Sequence, residues 1–196
     1  MSKPDPARRS ETSRRAVLTA AFDLLQEMPY PQLSIERIAA RAGVGKQTIY
    51  RWWPSKAAVL LDAFLLLSES GDGEPPTLPD TGDLDADLRL VLRATVAELN
   101  DPRLDRPMRA LATEVAHDGA LADAYHERLD GPLKEAKRQR LRSAQEAGQL
   151  ADDLDLDLAV DLIWGPVLNR WLQRSGPLTD EYVDRLVTTA LGGMRP

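Results

Sequence analysis

The chain has 196 residues, 43% of them hydrophobic and 29% charged, with a formal net charge of −6 at pH 7. Such a length supports one or two small domains, and the absence of cysteine excludes disulfides and thiolate metal sites. The charge is uneven: residues 1–67 carry 10 Lys and Arg against 6 Asp and Glu, a balance of +4, whereas residues 68–196 carry 15 against 25, a balance of −10.

The opening stretch, MSKPDPARRSETSRR, is charged and lacks an apolar signal core. The longest apolar run, Ala63 to Leu67, is far too short to span a bilayer. A soluble, cytoplasmic protein is expected, with no membrane partner. Arg8, Arg9, Arg14 and Arg15 form either an arm for phosphates or a solvated charged terminus. A first helix is expected over about Glu11–Met28, with Ala16, Val17, Ala20, Ala21, Leu24 and Leu25 facing inward. Pro29-Tyr30-Pro31 cannot continue it.

Ser34 begins the most informative segment, SIERIAARAGVGKQTIYRWWPSK. Its hydroxyl can accept a backbone N–H left unpaired in the next helix's first turn. Ile35, Ile38, Ala39 and Ala42 form one apolar face at helical spacing. Gly43 ends this helix, because a left-handed C-terminal residue favours glycine. A second short helix is expected from about Gly45 to Trp53. Two helices joined by a short glycine-containing turn make a helix-turn-helix, whose second helix can enter the DNA major groove. Lys46, Gln47, Thr48, Tyr50, Arg51 and Trp52 populate its outward face, and Ile49 and Trp53 anchor it inward. Guanidinium and amide groups suit base edges, while hydroxyls and ammonium groups suit phosphates. An ordinary surface turn between packed helices is the bland alternative. The local positive balance favours double-stranded DNA, since phosphate neutralisation needs a basic surface and not a basic protein.

These residues resemble the tetracycline-repressor (TetR) family of bacterial regulators. The likeness runs from about Arg14 to Leu67 and rests on IAARAGVGKQTIYRWWPSKAAVL. Its Ile-Ala pair, Ala-Gly-Val turn, Thr-Ile-Tyr core, aromatic doublet and Ser-Lys recur in the family's order. Gly45, Arg37, Gln47 and Trp53 depart from the family's usual residues. The resemblance implies base contacts by Lys46, Gln47 and Arg51. It implies phosphate contacts by Ser34, Thr48, Tyr50, Trp52 and Lys56.

A fourth helix is expected over about Ser55–Ser70. Residues 71–82, GDGEPPTLPDTG, read as a loop. Helices follow over about Leu84–Leu99 and Leu104–His117. The next is interrupted near Gly131-Pro132 and ends near Gly148. No strand signal appears. The expected fold is all-α with about nine helices: an N-terminal helix-turn-helix domain over 1–54 and a helical ligand-binding and dimerisation domain over 55–196.

The last two helices are unusual. From Leu154 to Leu172, Leu158, Leu162, Gly165, Leu168, Trp171 and Leu172 populate one side, and Leu156, Val160, Ile163, Trp164 and Val167 the other. A helix apolar nearly all round must be covered nearly all round. With Val183, Leu186, Val187 and Ala190 of the final helix, a two-fold homodimer interface is expected at Leu158, Leu162, Gly165 and Leu172. A monomeric core is the alternative, and the resemblance favours the dimer. Such a dimer implies a palindromic operator.

A small hydrophobic ligand is expected among Leu88, Leu92, Met108, Leu111, Glu114, Tyr125, Trp164 and Leu168. Any one of these is equally a plain core residue. No cofactor is expected, and with His117 and His126 as the sole histidines, no metal site either. Asp153, Asp155 and Asp157 read as a helix N-terminus. The sequence contains no nucleophile elbow or phosphate-cradling loop, so an enzyme is not expected. The reading is a DNA-binding transcriptional regulator, a ligand-released repressor. A helical scaffold protein or an enzyme without a recognisable motif remains the alternative.

Overall fold

The structure is a computed structural model that describes the backbone of residues 6–68 and 76–195, with side chains placed for residues 10–67 and 76–195. Among the described residues there are ten α-helices and no strand. They are α1 (Pro6–Glu27), α2 (Ile35–Ala42), α3 (Lys46–Tyr50), α4 (Lys56–Ser68), α5 (Leu84–Asn100), α6 (Pro102–His117), α7 (Gly119–Tyr125), α8 (Gly131–Glu146), α9 (Leu156–Gln173) and α10 (Asp180–Gly192). A π-helical turn, His126–Asp130, lies between α7 and α8 in the chain. The interruption expected near Gly131-Pro132 is this turn. Pro132 sits in the first turn of α8, where its missing N–H costs nothing.

Two compact units emerge. The first holds residues up to Gly73 together with Arg106–His126, and the second holds Glu74–Asp105 and Glu127 onward. In the first unit, α1 packs on α2 and α4. Val17, Leu18, Ala21, Leu24 and Leu25 of α1 are buried at helical spacing. Phe22 meets Phe64 of α4 edge-on, with ring centroids 6.1 Å apart. Ala57, Val59, Leu60, Leu61, Ala63 and Phe64 make α4 buried on most sides. One acid, Asp62, is buried among them.

In the second unit, α5 buries Leu84, Leu88, Leu92, Val96 and Leu99, and packs on α9 and α10. Helix α8 packs on α9. Three of this unit's helix starts, those of α5, α9 and α10, carry side-chain caps. Asp83 accepts from Ala86 N (3.1 Å), Thr179 from Tyr182 N (3.2 Å), and Asp155 from Asp157 N (2.9 Å) and Leu158 N (3.1 Å). The Arg140 guanidinium and the Asp87 carboxylate form a buried pair at 2.7 Å.

Helix α9 divides its two apolar faces. Ala159, Val160, Ile163, Trp164, Val167 and Trp171 are buried, while Leu158, Leu162, Leu168 and Leu172 are exposed. Trp171 therefore leaves the side the sequence assigned it, because its indole N–H reaches Asp105 at 2.8 Å. Leu168, expected at a ligand, stands 44% exposed in the outer stripe. Val183 and Val187, expected at the dimer interface, are fully buried within this unit. They share one face of α10 with Leu191, and that face is the one that packs inward. Leu186 and Ala190 are half-buried.

Candidate nucleic-acid interface

Local chemistry builds the helix-turn-helix. Ser34 is extended (φ −139°), and its Oγ accepts from Arg37 N at 3.3 Å, which caps α2. Gly43 takes φ +67°, and its N–H and that of Val44 return to the last carbonyls of α2. A Cβ on Gly43 would meet nothing within 4 Å, so the backbone conformation and not crowding calls for glycine. Gly45 starts α3 without a side-chain cap.

Helix α3 is shorter than expected, closing at Tyr50. Trp53 N still bonds Ile49 O at 2.9 Å, so the turn carries on to Trp53. Pro54 limits its length, because the residue before a proline is disfavoured in the helical region. Ile49 and Trp53 are buried, at 0% and 3% exposure, and hold the segment down.

Four of the expected contact residues, Lys46, Gln47, Tyr50 and Arg51, are exposed on this one short element, and Thr48 and Trp52 are half-buried beside them. The Arg51 guanidinium lies 5.2 Å from the Trp52 ring centroid, and Trp52 meets Trp53 edge-on at 5.4 Å. Stacking on a ring limits the rotamers of a long cation that must meet a base edge.

Two of the residues that the resemblance assigns to phosphates also serve the fold. Ser34 spends its hydroxyl on the cap. Lys56 turns toward the protein: its Nζ donates to Leu33 O (2.9 Å) and Tyr30 O (3.1 Å) and lies 4.1 Å from the Tyr30 ring centroid. Lys56 thus fixes the short 3-10 turn Tyr30–Gln32 that leads into α2.

Sequence reasoning missed Glu36. Its carboxylate pairs with Lys46 Nζ at 2.8 Å, across the turn from α2 to α3. The Lys46 ammonium, with help from the Glu36 backbone N–H and the Ser34 hydroxyl, holds the Glu36 carboxyl down to about 2. It also missed Asp62. A lone acid inside the apolar run of α4 was the available signal, since a buried carboxylate needs partners. Asp62 accepts from Trp53 Nε1 (2.9 Å) and Arg14 Nη2 (2.7 Å). Arg15 pairs with Glu11 in α1. The side chains of Arg8 and Arg9 lie outside the described residues, as do residues 71–75 of the expected loop.

The residues expected around a ligand fall in both units. Met108, Leu111, Glu114 and Tyr125 lie in the first, where Leu111 is buried and the other three are half-buried. Burial and the neighbouring Glu114 carboxylate push the Tyr30 phenol above its usual range. Leu88, Leu92, Trp164 and Leu168 lie in the second unit, the first three buried. Among the described residues no helix is long and apolar enough to cross a membrane.

Comparisons with known proteins agree with this geometry. The pattern of bacterial regulatory proteins of the tetR family matches residues 17–63, and that of the tetracyclin repressor-like C-terminal domain matches residues 78–190. An HTH-type transcriptional regulator of Bacillus subtilis, YdeS, is 36% identical over 188 residues, covering 95% of this chain and 92% of that protein. A DNA-binding transcriptional repressor of Mycobacteroides abscessus, TetR, is 31% identical, covering 93% and 94%. The crystal structure of a TetR family transcription regulator superposes with a TM-score of 0.74 at 37% identity, covering 94% of this chain and 99% of that one. With a capped α2, a left-handed Gly43 and a polar α3 presented outward, the chain belongs to the TetR family of DNA-binding transcriptional regulators.

Proposed function

We propose that the protein is a cytoplasmic, homodimeric repressor that occupies a palindromic operator and is released by a small ligand. The observation that carries the reading is the cluster of Lys46, Gln47, Tyr50 and Arg51, exposed on a helix pinned from beneath by Ile49 and Trp53. A rigid base lets such side chains meet base edges at a fixed register. In this reading Lys46, Gln47 and Arg51 read bases, and Thr48, Tyr50 and Trp52 touch the backbone. Ser34 and Lys56 contribute mainly by shaping the approach of α2, with the third N–H of Lys56 left for a phosphate. Residues 1–54 form the DNA-binding domain, and residues 55–196 serve ligand binding and dimerisation. No catalytic role is assigned.

Dimerisation is argued from α9. Leu158 (55%), Leu162 (51%) and Leu172 (47%) stand in a line with Leu168 and Gly165, spaced three and four residues apart. An apolar stripe of this length on one helix calls for a cover, and a second copy supplies one by two-fold symmetry. Two α3 helices would then read half-sites about 34 Å apart.

Selection of bound duplexes from a random pool tests the reading. A two-fold symmetric site is expected. Recovery of no preferred sequence, together with no shift of duplex DNA at low salt, would place the chain among helical scaffold proteins instead.

A further inference from the structure

We infer that the effector of this regulator is an amphipathic carboxylate, gripped in the second unit by Lys137 of α8 and Trp164 of α9. The inference rests on the ligand-responsive reading above and names the class of its ligand.

The argument starts from buried indoles. Trp53 donates its N–H to Asp62 at 2.9 Å, and Trp171 donates to Asp105 at 2.8 Å. Trp164 is just as buried, at 4% exposure, yet its Nε1 is shielded from water and has no acceptor. Native interiors rarely leave such a donor unpaired, and one that stays unpaired points to an absent partner. In this chain the partner chosen for the other two indoles is a carboxylate.

Lys137 supplies the charge. Its Nζ lies 5.0 Å from the centroid of the Trp164 ring and, among the described residues, has no hydrogen bond and no salt bridge. The nearby acids are committed elsewhere. Asp161 faces Lys134 at 3.3 Å, while Asp157 and Glu135 hold Arg138 at 2.7 Å and 3.0 Å. Burial pushes the Lys137 ammonium below the usual lysine range. Asp130 and Asp161 oppose that shift, and Lys134 adds to it.

The ammonium over the ring and the N–H at its edge offer two donors to the two oxygens of one carboxylate, at hydrogen-bond lengths of about 2.9 Å, once the side chains that shield Nε1 part to admit it. Val160, Ile163 and Val167 are buried on the same face of α9 as Trp164, and an apolar tail is the one those neighbours would accept. The competing explanation is that Lys137 merely caps the Trp164 ring by a cation–π contact.

The test uses the full chain and four probes: 2-naphthoate and octanoate, and their neutral counterparts 2-naphthamide and octanamide. Binding is read by calorimetry, and release of a selected operator duplex is read separately. Each acid is expected to bind at least ten-fold tighter than its amide. Lys137→Met and Trp164→Phe should each erase that preference, and Lys137→Met should not lower the melting temperature. Equal affinity for acid and amide, no binding by either acid, or a preference that survives Lys137→Met overturns the inference. Release of DNA by the amides alone also overturns it and leaves the ligand-responsive reading standing. Acids that bind with the stated preference while the duplex stays bound uphold the carboxylate site and refute ligand release.

Discussion

Trp53 Nε1 donates to Asp62 Oδ2 at 2.9 Å, with both residues buried, which ties the end of the recognition segment to the middle of α4. The same oxygen holds Arg14 of α1 at 2.7 Å. One carboxylate thus fixes three elements. Trp53→Phe keeps the apolar anchor but removes a bond to a buried charge, so a loss of about 1.5–3 kcal/mol is expected in denaturant titration. Asp62→Ala strands the indole N–H as well and should cost at least as much. The half-exposed Arg14 contributes little to either figure, because water screens it. Unchanged midpoints in both variants would dismiss the anchor.

Arg51 and Lys56 separate reading from positioning. Arg51 is exposed and stacked on Trp52, so Arg51→Ala should leave stability within about 0.5 kcal/mol and lose about 1–3 kcal/mol of discrimination at one operator position. Lys56 holds two backbone carbonyls. Lys56→Ala should weaken binding to every duplex alike and also lower stability by about 1–3 kcal/mol. Equal operator affinity for Arg51→Ala in a titration would refute the base-reading role.

Glu36 holds Lys46 in the free protein, and its negative charge stands beside the surface meant for phosphates. Glu36→Gln frees the ammonium and removes one unit of repulsion. Affinity for random duplex at low salt should rise roughly three- to ten-fold, with a steeper salt dependence. Because the pair is exposed, melting should change little. A fall in affinity would mean instead that Glu36 orients Lys46 for its base.

The helix-turn-helix was legible because its signals are local. Ser34, Gly43 and the Ile35/Ile38/Ala39 face each act within one turn, and the structure uses all of them. The all-α class followed from a single period repeated along the chain. Long-range choices were less legible. Both faces of α9 are apolar, so periodicity could not say which one meets α5 and α8; Trp171 went inward because Asp105 awaited its N–H. Val183 and Val187 look like any interface residues until α10 is seen to pack with them against α5 and α9. The partners of Lys56, Asp62 and Lys137 are 9 to 48 residues distant in sequence, beyond any local pattern.

The leucine stripe of α9 makes a separate prediction. Leu162 is 51% exposed in one chain, so Leu162→Glu should not harm the fold of a single copy. It should bury an unpaired charge in the assembly. Sedimentation is expected to show monomers, and operator affinity should fall at least ten-fold, since one α3 cannot span two half-sites. A variant that remains dimeric would move the interface elsewhere.

The Asp87–Arg140 pair sets an acid limit on the second unit. Burial pushes the Asp87 carboxyl up, but the Thr81 N–H, the Arg140 guanidinium and the Thr81 hydroxyl together bring it below the ordinary value of 3.8. A carboxyl lowered in the folded state binds protons more readily when unfolded. Its contribution is therefore complete above about pH 4–5 and is lost as pH falls through the lowered folded value. Asp87→Asn should be less stable at pH 7 by about 3 kcal/mol, because it leaves the buried Arg140 guanidinium only the half-exposed Asp80 carboxylate at 3.6 Å. The difference from the native chain should shrink progressively below pH 4. Parallel stability curves for the two proteins between pH 7 and pH 2 would show that Asp87 does not carry the acid dependence, and that the burial of Arg140 is balanced by Asp80 and Pro79 O instead.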